Sequence, residues 1–155
     1  HEILQTNSNS IITSLDMIEN EPDVIRGFVR ALCKGIYFTK YNPNAAAAVS
    51  CAQWPNIDVT WKAAVYVQEG RAYQMFGKPG SDTEAERLEN LGLCTDEGWQ
   101  LNVDTMLSSG VISKEIPLTD IYTNEFVDTT WDRSEVEADA DAYDWQSVAA
   151  KYEAE

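Results

Sequence analysis

The sequence predicts a mostly α-helical chain, with about six helices and two or three short strands. Three observations carry the prediction. An apolar stripe of Ile25, Phe28, Val29, Leu32 and Ile36 recurs at helical spacing behind Pro22. A run of alanines, Ala45 to Ala48, follows Asn42-Pro43. Two further stripes, Trp61 to Phe76 and Trp99 to Leu107, end at the loop Gly77 to Gly80 and at Gly110.

The elements follow in chain order. Residues 2 to 15 read as extended, because Ile11, Ile12 and Thr13 are β-branched and a polar turn precedes them. Pro22 suits the first position of a helix, where its missing N–H costs nothing, and Asp23 complements the positive end of the helix dipole. Asn42-Pro43 ends that helix and caps the next, which Trp54-Pro55 stops. A third helix starts at the cap Asp58, with Trp61, Ala64, Val65, Gln68, Ala72 and Met75 or Phe76 on its buried face. A short helix spans Thr83 to Leu91 before Gly92. Thr95 caps another, with Asp96 and Glu97 in its first turn, and Gly110 fits the left-handed position past its end. Pro117 opens a last compact turn holding Ile121, Tyr122 and Phe126.

Length and composition bound the function. A chain of 155 residues fits one domain, and 44% hydrophobic residues argue against disorder. The net charge of -15 disfavours nucleic acid and anionic lipid as partners. Charge is uneven: residues 125 to 155 hold ten carboxylates against Arg133 and Lys151, a net of -8. The expected organisation is therefore a helical portion over residues 1–130 and an acidic peripheral tail over 131–155 with a short helix around Trp145 to Tyr152.

Catalytic constellations are scarce. The one histidine is His1, at the terminus, so histidine-based triads and zinc sites have no base or ligand to build on. Glu135, Glu137, Asp139, Asp141 and Asp144 fail the calcium-loop pattern: from Asp139, the glycine position is Asp144 and the twelfth position is Ala150. No glycine-rich phosphate motif is present. Cys33, Cys51 and Cys94 read as small buried hydrophobes, with a single bridge such as Cys51 to Cys94 as the alternative. Trp61 and Trp99 lie on apolar stripes and read as core. No catalytic residue, metal or cofactor is expected.

Several pieces together resemble a known family. They are Glu21-Pro22-Asp23, Arg26 to Ala31, Asn42-Pro43 with Ala45 to Ala48, Gly98-Trp99-Gln100, Met106 to Ile112, and Tyr122-Thr123-Asn124-Glu125-Phe126. In this order and spacing, over roughly residues 3 to 127, the chain resembles the substrate-binding proteins of ABC importers that take thiamine pyrimidine precursors, taurine, sulfonates or nitrate. The resemblance implies the C-terminal half of a periplasmic binding protein with two α/β lobes, without the strands of the first lobe. It implies a non-enzymatic solute binder of the periplasm or its equivalent, with a small-molecule ligand and an ABC permease as partners. Asn7, Ser8, Asn9 and Ser10 sit where the chain would return from the hinge, and are the ligand-binding candidates it suggests. Their short polar side chains also suit a plain turn. Two other readings remain. One is a stand-alone helical interaction domain, pairing as a homodimer through exposed apolar faces. The other is the related pyrimidine synthase of thiamine biosynthesis, whose histidine and cysteine-rich motif this sequence lacks.

Overall fold

The computed structural model describes residues 10–153. His1 and the candidates Asn7, Ser8 and Asn9 lie outside the described residues, as does most of the segment read as extended. Eight α-helices and one 3-10 turn form among the described residues, and no strand does. The two or three short strands expected are therefore corrected among the described residues: Ile11 to Thr13, read as extended, pair with no strand. Residues 10–14 run without regular pairing into helix α1, Leu15–Asn20, capped by the Ser14 hydroxyl, which accepts from Met17 N–H.

Helix α2, Pro22–Tyr41, starts and stops where the sequence puts it. Its buried face is rotated from the expected stripe. Ile25, Cys33 and Tyr37 are buried, and with Val29 they recur at steps of four. Phe28 is 56% exposed, and Leu32 is exposed as well. Apolar residues three and four apart occupy two adjacent stripes here, and only one of them finds neighbours.

Helix α3, Pro43–Gln53, is capped by Asn42, whose side-chain oxygen accepts from Ala45 N–H at 3.0 Å. Helix α4, Trp61–Phe76, begins two residues later than expected. Its cap is Thr60 rather than Asp58, with Oγ1 accepting from Ala63 N–H. Thr60 immediately precedes the first buried residue, Trp61, so the cap sits next to the packed face. Helix α5, Asp82–Glu89, is capped by Ser81; α6, Asp96–Ser108, by Thr95. The 3-10 turn covers Leu118–Asp120. Helices α7, Arg133–Ala142, and α8, Trp145–Glu153, occupy the acidic C-terminal stretch.

The chain divides into two compact units. The first ends at Val29 and resumes over Gly92–Asp128; the second takes Arg30–Leu91 and the residues from Thr129 on.

In the second unit, Ala47 and Ala48 are fully buried beside Trp61 and Ala149, with Val65, Trp145, Val148 and Tyr152 packed on them. Methyl side chains let α4 and α8 approach α3 closely, and the Trp61 and Trp145 rings stack with centroids 6.2 Å apart. Helix α7 lies along the end of α2. Lys34 pairs with Glu135 at 3.2 Å, the Tyr37 hydroxyl donates to Glu137, and the Tyr41 hydroxyl donates to Asp141. Both members of these pairs advance together, so the two helices run in the same direction.

The first unit is held by the pieces that carried the family resemblance. Asn124 clamps Cys94 at both ends: its amide donates to Cys94 C=O, and its oxygen accepts from Cys94 N–H, each at 2.9 Å. The Arg26 guanidinium donates to Glu125 C=O at 2.8 Å and lies 5.2 Å from the centre of the buried Phe126 ring. The Tyr122 ring stacks on Trp99 at 5.6 Å, and its hydroxyl donates to Asp96.

Candidate functional site

A cavity of about 530 Å³ opens in the second unit beside α4. It is built mainly from one helix face: Tyr66, Gly70, Tyr73 and Phe76. Thr60 sets the start of α4. Gly77, at φ 80°, ends it and turns the chain toward α5. That backbone angle favours glycine.

The polar end of the cavity is an ion pair. Lys40, in the last turn of α2, reaches Glu84 Oε1 at 2.7 Å. Glu84 is only 8% exposed, and its other oxygen accepts from Gly80 N–H. The hydrogen bond from Lys40, then that from Gly80, holds its carboxyl below the ordinary range. Position also helps both charges: a carboxylate in the first turn of α5 and an ammonium in the last turn of α2 each complement a helix dipole.

A second cavity, of about 440 Å³, lies in the first unit among Cys94, Thr95, Asp96, Glu97, Tyr122 and Asn124. Its polar groups are largely committed: Asn124 to the Cys94 backbone, Tyr122 to Asp96, and Thr95 to its capping bond with Gly98.

Of the four candidates read from the sequence, Ser10 alone is described, and it is exposed. Neither cavity contains it. Sequence reasoning does not find residues 66 to 84 as lining residues. The signal available is Gly70, a glycine inside an otherwise good helix. The cysteines are free thiols, so the Cys51–Cys94 bridge does not form. Cys33 and Cys51 are buried, and burial pushes the Cys33 thiol up. No group of residues able to hold a metal ion occurs among the described residues, and no described helix is long and apolar enough to cross a membrane.

The profile of the family described as NMT1/THI5 like matches residues 1–46. The chain resembles that family. A riboflavin-binding protein, RibY of Chloroflexus aurantiacus, is 26% identical over 129 residues, which is 81% of this chain. This chain spans 34% of that protein's length. No solved structure matches. Both similarities agree with the resemblance carried by residues 3 to 127, and the relative carries the name of a binding protein.

Proposed function

We propose that this chain is part of the solute-binding component of an ABC importer, working outside the cytoplasm and delivering its ligand to a permease. The observation that carries the reading is the 129-residue similarity to a riboflavin-binding protein, joined to the family match at residues 1–46. On this reading the helices form the C-terminal part of a protein with two α/β lobes. The ligand is small and polar, anionic or heteroaromatic; a thiamine pyrimidine precursor, a sulfonate, nitrate and riboflavin are the chemical types to try. Asn7, Ser8, Asn9 and Ser10 are retained as contacts to it.

Equilibrium titration of the chain with riboflavin, an aminopyrimidine, taurine and nitrate tests the reading. Saturable binding of one of them, above the others, is the expected result. Binding of none rejects it. A second reading, a helical domain that pairs with its own copy, is favoured by the exposure of Val24 and Phe28 on α2. A sedimentation mass of twice 17.4 kDa with no solute bound supports that alternative.

A further inference from the structure

We propose that the cavity beside α4 is a site for an alkylated ammonium ion, held between the Tyr66 and Tyr73 rings and against the Glu69 carboxylate. This ligand is a second one, of another chemical class than the solute. The proposal goes beyond the solute-binding reading and does not rest on it: Ser10 does not line this cavity.

Steps of three and four residues place Tyr66, Glu69 and Tyr73 on one face of α4, and all three line the cavity. Helix neighbours at these steps stand about 5–6 Å apart, so the carboxylate lies within reach of both rings. The tyrosines are two turns apart, about 10 Å along the axis. A cation midway between them is about 5 Å along the axis from each, inside the roughly 6 Å over which an aromatic face attracts positive charge. Gly70 leaves that space open: a methyl group built on it meets no atom within 4 Å.

These side chains are also uncommitted. Elsewhere in the chain rings pair with one another: Tyr37 with Trp131, Trp61 with Trp145, Trp99 with Tyr122. The side chains of Tyr66, 74% exposed, and Tyr73, 61% exposed, meet no ring, cation or hydrogen-bond partner among the described residues. Glu69 has no hydrogen bond or ion pair among them either. The other charges of the cavity cancel, since Lys40 reaches Glu84 at 2.7 Å. Glu69 therefore leaves the cavity with negative charge in excess, which opposes an anion. Phe76, which is buried, makes the base apolar. An ammonium whose hydrogens are replaced by methyl groups fits such walls. It has no N–H to satisfy, its methyl groups pack on apolar surface, and its charge is drawn by the ring faces and the carboxylate. A hard metal ion fits poorly, because it needs more oxygen ligands than one free carboxylate offers. The cavity volume of about 530 Å³ lies within the range of small-molecule sites.

The test titrates the 155-residue chain calorimetrically, at low salt, with choline and with its uncharged analogue, in which a tert-butyl group replaces the trimethylammonium. Saturable binding of choline is expected, roughly tenfold or more tighter than that of the analogue. Glu69→Gln and Tyr66→Ala should each weaken choline binding roughly threefold or more, while Tyr66→Phe, which keeps the ring, should stay within about twofold of the parent. Tyr66 and Glu69 are exposed, so all three variants are expected to melt close to the parent. Choline that does not bind, or that binds no tighter than its uncharged analogue, overturns the site. Choline that binds Glu69→Gln and Tyr66→Ala as tightly as the parent overturns it as well.

Discussion

Single residues in this chain hold charge and hydroxyl groups in unusual states, and two tyrosines make that measurable. Burial first, and the hydrogen bond to Glu137 second, push Tyr37 up to about 12. The hydrogen bond to Asp96 does the same to Tyr122, also to about 12. In the unfolded chain both return to about 10. A pKa raised by folding stabilises the neutral form, so this contribution is full below about pH 10 and disappears as pH rises through about 12. An alkaline absorbance titration of the native chain therefore ends in a late phase. Tyr37→Phe and Tyr122→Phe should each remove part of that phase. Ionisation of Tyr37 and Tyr122 near 10 in the native chain would contradict the geometry. Glu84 shows the opposite sign. Its carboxyl is held low by Lys40, so its contribution is present above the ordinary carboxylate value and lost as pH falls through its native one.

At the level of elements, helix α3 is the simplest case of packing by small residues. Ala45, Ala47 and Ala48 have no exposed surface, while Val49 on the same helix is 37% exposed. Ala47→Leu must push α4 or α8 away, and should cost about 1–3 kcal/mol in denaturant unfolding. Val49→Ala should change stability by no more than about 1 kcal/mol. Equal effects at the two positions would mean that α3 is not packed as described. The alanine run and its Asn-Pro start were plain in the sequence because capping and helix breaking are local. The same holds for Pro22, Thr95 and Gly110. The face that α2 buries was not legible, since Phe28 and Cys33 fit helical stripes equally well and only distant neighbours choose between them. The Cys94 clamp and the Arg26 contacts tie down the Asn124 to Phe126 segment, but their partners lie far away in sequence. The cavity beside α4 was hidden for the same reason: Lys40 and Glu84 meet across more than forty residues.

For the molecule as a whole, the governing quantity is the net charge of -15 and how it is arranged. Some carboxylates are well used. Asp132 and Asp144 accept from the side chains and N–H groups of Ser134 and Ser147, and both are held below the ordinary range by those bonds. Others oppose one another. On α7, Glu135 and Asp139 stand four residues apart, as do Glu137 and Asp141. Like charges at that spacing destabilise a helix by about 0.2–0.5 kcal/mol a pair. Self-repulsion of this kind is screened by salt, over about 10 Å at 0.1 M. The melting temperature should therefore rise with added sodium chloride. Asp139→Lys sharpens the test. Asp139 is exposed, so the change leaves the buried Val136 and Ala140 alone. It turns the repulsion from Glu135 into attraction, with the acidic member nearer the N-terminus, the order that favours a helix. It also makes the net charge less negative by two. Thermal unfolding at low salt should show a gain of about 0.5–1 kcal/mol, which shrinks as salt is raised. A variant that melts below the parent at low salt would mean that attraction, not repulsion, governs the acidic end of this chain.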